Sequence, residues 1–204
     1  ARLAANFPEA SVLCAAHLKQ DADGALIRPR RARQSDFRNY IRDFPWEYTF
    51  NRGLINSSSV AIHRDAFSAV AGFPEGQRMG EDVFLWLHLA EHYSFAHSGT
   101  AVSVVNRSST NTLSQSEQSR EEAPYFLRHY VARHRLSRCA NLNPRSLRML
   151  LMWLAILTLR NASQNRRHGL RRAVLELPGW RGPEKLLLRS VALALTFFNG
   201  RQRR

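Results

Sequence analysis

The spacing of apolar residues changes near residue 112, and this change constrains the fold more than any other feature of the chain. Before it, apolar runs of strand length alternate with turns and short helical stretches. A stretch rich in Ser, Thr, Asn and Gln follows at 108–119, and every later segment has helical spacing. The sequence therefore predicts a mixed α/β part over residues 1–112 and a mostly helical part over residues 113–204.

The segments of the α/β part are short and separated by turn residues. The apolar run at 11–18 predicts a buried strand, and 21–24 predicts a turn in which Gly24 supplies a positive φ. The other predicted elements are a helix end at 1–6, a helix at 36–42 that Pro45 ends, a strand at 53–62, a helix at 66–70, a helix at 81–91, and strands at 94–96 and 101–105. In the helical part the predicted helices are 120–138, 145–162, 167–176 and 184–198.

The net charge of +14 lies almost wholly in the helical part. Residues 1–110 hold 12 Lys and Arg against 11 Asp and Glu, whereas residues 111–204 hold 18 against 5. An anionic partner would therefore bind the helical part. Nucleic acid is not expected to be that partner, because the arginines alternate with long apolar runs and no nucleic-acid motif is present.

Two apolar runs in the helical part, 149–157 and 186–198, are bordered or interrupted by arginine. A bilayer-spanning helix needs about 20 apolar residues. The first run is about half that length, and Arg189 interrupts the second. Two compatible interpretations remain. Residues 120–204 could lie against an anionic membrane surface, or they could form a helical hairpin that packs on the α/β part with its arginines solvated.

The segment Gly80-Glu81-Asp82 begins the helix predicted at 81–91. Acidic residues in a first turn interact favourably with the positive end of the helix, so a purely structural role is one explanation. A carboxylate held at a rigid helix start at the rim of a cleft can also accept a proton from a substrate hydroxyl. Both explanations fit the sequence.

Several motifs around this helix, in their order, resemble the second half of the family 2 glycosyltransferases. The motifs are the polar strand and basic pair at 56–64, the Gly-Gly-Phe-like turn at 71–75, the Gly-Glu-Asp-x-x-Leu-Trp-like helix start at 80–87, and the strand, arginine and serine-rich loop at 104–114. Residues 7–24 likewise resemble the segment that follows the donor-binding half. The resemblance covers residues 1–115, with Ala71 in place of the usual first glycine.

The resemblance implies the second half of a GT-A fold, a Rossmann-like α/β domain that binds a nucleotide sugar together with a divalent metal. It implies that Asp82 is the base and that Glu81 is its supporting neighbour. It also implies that Asn56, Ser57 and Ser58 line the acceptor side of the cleft.

The resemblance gives Arg107 a role as well. This residue would approach the donor diphosphate, which a guanidinium binds well. A surface arginine that merely follows a strand is the alternative.

Ligands for the family's Mg²⁺ or Mn²⁺ are expected mostly outside this chain. The family binds the metal through Asp-x-Asp at the end of a buried strand. Asp21-Ala22-Asp23 has the same letters, but it follows Lys19-Gln20 and precedes Gly24, as a turn would. Because this donor half is missing and the chain does not begin with methionine, we expect a fragment.

Histidine and cysteine indicate no metal site in the sequence alone. His88 and His92 stand four residues apart on one predicted helix, a spacing that can hold zinc, but the residues between them do not have the Glu-x-x order of a zincin. We interpret them as a solvent-facing pair. Cys14 and Cys139 show no metal-ligand spacing, and reduced thiols fit a cytoplasmic setting, although a single bridge between them stays open.

The predicted function is transfer of a sugar from a nucleotide-sugar donor to a cell-surface glycan or a lipid-linked acceptor, with inversion of configuration. The expected location is the cytoplasm or the inner face of the cytoplasmic membrane. The alternative is a non-catalytic membrane-surface or scaffold module derived from a transferase.

Overall fold

The computed structural model describes residues 2–21, 23–27, 39–51, 54–77, 79–106, 122–132, 141–164 and 168–201. Its strands are β1 (Val12–Gln20), β2 (Leu26–Ile27), β3 (Tyr40–Ile41), β4 (Val60–Ile62) and β5 (Phe95–Asn106). Its helices are α1 (Arg2–Asn6), α2 (Phe44–Phe50), α3 (Arg64–Ala69), α4 (Glu81–Ala90), α5 (Tyr125–Ala132), α6 (Pro144–Gln164), α7 (His168–Leu175) and α8 (Gly182–Arg201).

The five strands form one mixed sheet around β1. Strand β1 pairs in parallel with β5 along one edge, and along its other edge it pairs antiparallel with β4 and then with β2. Strand β3 pairs antiparallel with the far edge of β5. The predicted α/β class is confirmed, and the buried strand predicted at 11–18 is the centre of the sheet.

Small side chains allow β1 to be buried within the sheet. Val12, Cys14, Ala15 and Ala16 are all buried. The Cys14 thiol donates a hydrogen bond to the carbonyl oxygen of Ala96 at 3.4 Å. Burial raises the pKa of the Cys14 thiol to about 12, so this free thiol stays protonated and unreactive. Cys139 lies outside the described residues.

Strand β5 is one bulged strand, whereas the sequence predicted two separate strands at 94–96 and 101–105. The pairing with β1 shifts register around residues 98–100. Gly99 has a φ of 70° there, and its N–H donates to Nδ1 of His97 at 3.0 Å. A bulge at a glycine changes the direction of the chain without ending the strand. The local sequence does not distinguish such a bulge from a turn between two strands.

The helix predicted at 36–42 is wrong where the structure describes it. Tyr40–Ile41 forms β3, and residues 28–38 lie outside the described residues. The helix is α2, which begins after Asp43 and has Pro45 in its first turn. Oδ1 of Asp43 accepts a hydrogen bond from the N–H of Trp46 at 3.1 Å. Proline suits a first turn because its missing N–H has no helical partner there.

The strand predicted at 53–62 is also too long. Only Val60–Ile62 is strand, and residues 57 and 58 form a turn. The helices predicted at 145–162, 167–176 and 184–198 are confirmed to within a few residues as α6, α7 and α8. Helix α5 covers 125–132 of the predicted 120–138, and residues 133–140 lie outside the described residues.

One hydrophobic core runs through the α/β and helical parts. It includes Val12 of β1, Leu85 of α4, Leu127 of α5 and Leu150 of α6. Helix α6 packs against α2 as well as against α7 and α8. Of the two interpretations of the helical part, packing on the α/β part is therefore what the structure shows.

Polar contacts hold the helical part in place. The Ser146 hydroxyl of α6 donates to Oδ2 of Asp43, the residue that caps α2, at 2.6 Å. Nε of Arg148 donates to Oε1 of Glu184 at 2.9 Å and joins α6 to α8. Gly179 lies so close to α5 that an added Cβ would stand 1.3 Å from the carbonyl oxygen of Val131. The first two contacts fix α6 against α2 and α8. The third fixes the segment before α8 against α5.

Helix α3 ends in a hydrogen-bonded cap whose key position is Ala71. The N–H of Gly72 donates to the carbonyl oxygen of Phe67 and the N–H of Ala71 to that of Ser68, both at 3.0 Å. This pair of bonds is a Schellman motif. Ala71 adopts a φ of 58°, the left-handed conformation that glycine favours.

The substitution Ala71→Gly is expected to stabilise the protein by about 1 kcal/mol, because it relieves the Cβ strain of the left-handed conformation. Urea denaturation measures the change in the free energy of unfolding. The control is Ala69→Gly at an exposed position of α3, which is expected to lower stability by up to about 1 kcal/mol. Equal losses in both variants would contradict the strain at residue 71.

Candidate functional site

The start of α4 is fixed by a glycine that no other residue can replace without strain. Gly80 has a φ of 76°, and a Cβ there would lie 2.5 Å from Cδ1 of Phe126 and 3.2 Å from Cβ of Pro124. The N–H of Tyr125 donates to the carbonyl oxygen of Met79 at 3.1 Å. The first turn of α4 is therefore seated directly against the start of α5.

Helix α4 is buried on most of its surface. Val83, Trp86, Leu87 and Ala90 have the spacing of a single apolar helix face. In the structure Val83 is half-buried, and the buried residues are Phe84, Leu85, Trp86, Leu87, Leu89 and Ala90. A helix buried in this way has little freedom to move. The side chains of its first turn therefore have a rigid support.

Asp82 is half-buried in that first turn. Its Oδ1 accepts a hydrogen bond from the N–H of Val83 at 2.7 Å. Burial raises the pKa of the Asp82 carboxyl, and backbone hydrogen bonds at Val83 and Asp82 oppose that rise only in part. A carboxylate with a raised pKa is a stronger proton acceptor than an ordinary aspartate, which is the property a general base needs. Glu81, its neighbour, is also half-buried.

Asn56, Ser57 and Ser58 lie together in one turn. Oδ1 of Asn56 accepts from the N–H of Ser58 at 2.8 Å, and the carbonyl oxygen of Asn56 accepts from the N–H of Ser59 at 2.8 Å. The N–H of Ala15 donates to the carbonyl oxygen of Ser59 and ties the turn to β1. Ser57 and Ser58 are exposed, so their hydroxyls are accessible from solvent.

The carboxylates predicted for catalysis and the polar residues predicted to bind the acceptor lie on different elements. Glu81 and Asp82 share the start of α4, and Asn56–Ser58 share the turn before β4. Leu54 and Ile55, just before that turn, are buried in the same core as α4. Among the described residues no hydrogen bond joins the turn to Glu81 or Asp82. Arg107 lies outside the described residues, directly after the end of β5.

The predicted turn at 21–24 is confirmed, and it does not fit a metal site of the family's kind. Oδ1 of Asp21 accepts from the N–H of Asp23 at 3.1 Å and from that of Ala25 at 2.8 Å. Gly24 has a φ of 82°. The Asp21 carboxylate therefore caps a turn, a role that does not fit the Mg²⁺ or Mn²⁺ ligand of the family's Asp-x-Asp.

His88, in the last turn of α4, and His92, just after that helix, differ in exposure. His92 is exposed, as a solvent-facing pair requires, but His88 is half-buried. Glu91 lies between them and is buried. The zincin order does not include a glutamate at this position, whereas the structure places Glu91 beside both histidines.

Helix α2 carries an exposed aromatic pair that the sequence analysis missed. Trp46 and Phe50 are exposed, and their ring centroids lie 4.6 Å apart. Helix α2 packs against both α4 and α6. The error at Pro45 hid this pair, and Asp43 three residues before Trp46 was the capping signal that could have revealed it.

These elements define a mixed α/β protein with a basic helical part on one core. Comparison with protein-family models, with curated proteins and with solved structures finds no match to this chain. No helix of the described residues combines the length and the apolar character needed to cross a bilayer.

The burial of Asp82 predicts a specific pH dependence of stability. Because folding raises the pKa of its carboxyl, Asp82 favours the folded state most when it is protonated, and this contribution is lost as pH rises through the folded pKa. The variant Asp82→Asn keeps an oxygen acceptor but carries no charge. Its free energy of unfolding relative to wild type is expected to increase from about pH 4 to about pH 7.

Urea denaturation of both proteins across this range measures the difference. Asp65→Asn is the control, since it makes the same chemical change at an exposed carboxylate in the first turn of α3. A constant difference between Asp82→Asn and wild type would show that burial does not perturb Asp82.

Proposed function

We propose that the chain is the acceptor-side part of an inverting, GT-A-type glycosyltransferase. It would act with a nucleotide-sugar donor on a cell-surface glycan or a lipid-linked acceptor. The observation that carries the proposal is the Asp82 carboxyl, whose pKa burial raises at the rigid start of α4. The ordered motifs around it, from the turn at Asn56 to the end of β5, support the same proposal.

In the proposed reaction Asp82 accepts the proton of an acceptor hydroxyl. The oxygen of that hydroxyl attacks the anomeric carbon of the donor sugar and forms the new glycosidic bond. The bond from the anomeric carbon to the diphosphate breaks, and its electron pair leaves with the nucleoside diphosphate. Because attack and departure occur on opposite faces, the configuration inverts.

Other residues have proposed supporting roles. The exposed hydroxyls of Ser57 and Ser58, held by the Asn56 turn, would hydrogen-bond acceptor hydroxyls. The exposed Trp46 and Phe50 rings offer an apolar surface for a sugar ring. Glu81 would orient groups around Asp82, and Arg107 would bind the donor diphosphate.

The substitution Asp82→Asn is expected to abolish sugar transfer while leaving donor binding intact. The test uses the longest natural product of the reading frame that contains residues 1–204, incubated with a panel of labelled nucleotide sugars and membrane-derived acceptors. Loss of a general base lowers turnover by roughly 10²–10⁴-fold. The control is Asp65→Asn, an exposed carboxylate on α3. Wild-type turnover in Asp82→Asn would remove Asp82 from the mechanism.

Exposed leucines of α8 support a second candidate function, attachment to an anionic membrane surface. Leu186, Leu187 and Leu193 are 68%, 51% and 57% exposed, although a folded core lies beside them. Arg189 is also exposed on the same helix. Exposed leucines beside a cation fit a helix that lies in a membrane interface. This role is compatible with transfer to a lipid-linked acceptor.

The double substitution of Leu186 and Leu187 by serine is expected to weaken binding to vesicles that contain anionic lipid, because it removes apolar area from the contact. Vesicle co-sedimentation at constant ionic strength measures the binding. The matched control is the double substitution of Val102 and Val104 by serine, which removes exposed apolar side chains from β5. Equal binding by both double variants and wild type would contradict a membrane role for α8.

A further inference from the structure

The end of α4 brings together two imidazoles and a carboxylate. His88, Glu91 and His92 each offer a ligand atom, and these atoms lie within 4.8 Å of one another. His88 lies in the last turn of α4, and Glu91 and His92 follow in a turn whose backbone bonds back to the helix. This turn continues the helical path closely enough to keep the side chains at i, i+3 and i+4 together. Two imidazoles and one carboxylate are a donor set that binds Zn²⁺ and related divalent transition metals.

Glu91 is held for such a role by α5. The carboxylate is buried, and its Oε1 accepts a hydrogen bond from the hydroxyl of Tyr130 at 2.5 Å. Its Oε2 lies 3.8 Å from Nε2 of His92. A carboxylate that is oriented by a second residue is typical of metal ligands. A buried negative charge is also favoured by a nearby cation.

The backbone around the cluster is well ordered by hydrogen bonds. The N–H groups of Glu91, His92 and Tyr93 donate to carbonyl oxygens of Leu87 or Leu89 at 2.8–3.1 Å. The carbonyl end of a helix attracts cations, which adds to the charge of the carboxylate. The His92 side chain is 54% exposed, so an ion can enter from solvent and keep water ligands.

We propose that His88, Glu91 and His92 form a binding site for a divalent transition-metal ion such as Zn²⁺. The three side chains bind the metal, and solvent fills the open positions. The Tyr130 hydroxyl orients Glu91 and connects the site to α5. Bound metal therefore stabilises the packing of α4 on α5. The site is independent of the proposed sugar transfer, and its test does not require an active enzyme.

The test titrates residues 1–204 with Zn²⁺ by calorimetry and with Co²⁺ by visible absorption, after treatment with a chelator. Wild type is expected to bind one equivalent of either ion, to give the ligand-field bands of a protein-bound Co²⁺, and to melt at a higher temperature with Zn²⁺. His92→Ala changes an exposed side chain. Glu91→Gln keeps an oxygen that can accept from Tyr130. Each is expected to weaken binding by at least about tenfold.

The matched control is His63→Ala. His63 is an exposed imidazole 3.7 Å from the carboxylate of Asp65, and within the described part of the chain this pair is not joined by a third ligand. Its binding and its melting shift are expected to equal those of wild type. The proposal is overturned if wild type binds neither ion stoichiometrically, or if His92→Ala and Glu91→Gln both bind as tightly as His63→Ala. Circular dichroism of each variant checks that α4 remains folded.

Discussion

The burial of α4 is the constraint on which the rest of the structure depends. Leu85, Leu87 and Leu89 have no exposed surface, and Trp86 is almost as buried. Each such leucine contributes ~1.5–3 kcal/mol relative to an exposed one. A helix can bury successive residues only if other elements cover several of its sides. Helices α2 and α5 both pack on α4, and the core continues from it into the sheet and into α6.

This arrangement also explains how so basic a chain folds around one core. Arginines in the described helices lie mainly at the surface, and their charges are solvated. The Arg148–Glu184 pair is a partly buried exception, and it joins α6 to α8. The apolar side chains of α6 and α8 are divided between the core and the surface. Leu150 and Leu188 are buried, whereas Leu186 and Leu187 are exposed. Packing and membrane contact would therefore use different faces of α8.

Local patterns in the sequence were enough to predict β1, α4, α6, α7 and α8, because β1 is an apolar run of strand length and the helices have helical periodicity. Proline and glycine caused two of the errors. Pro45 can end a helix or begin one, and only the cap at Asp43 decides between them. Gly99 can separate two strands or form a bulge, and only pairing with β1 decides. The first decision is made by a local cap that the sequence contains, and the second by a tertiary contact that it does not.

In the candidate sites, too, local features could be predicted from the sequence and long-range contacts could not. The sequence placed Glu81 and Asp82 at the start of a helix, and the structure does so too. It could not predict that Phe126 and Pro124 lie against Gly80, since they are distant in sequence. The spacing of His88, Glu91 and His92 is visible in the sequence, but the Tyr130 hydroxyl that orients Glu91 is 39 positions away and could not be predicted.

The two explanations of Asp82 differ in the direction in which they shift its pKa. A carboxylate that serves only as a helix cap is stabilised in its charged form by the positive end of the helix, so its pKa falls. In this protein burial outweighs the backbone hydrogen bonds, and the pKa of Asp82 rises. Burial in the first turn of α4 therefore disfavours the charged form of this carboxyl. The proposed role of Asp82 as a proton acceptor fits this direction, since a raised pKa makes the carboxylate more basic.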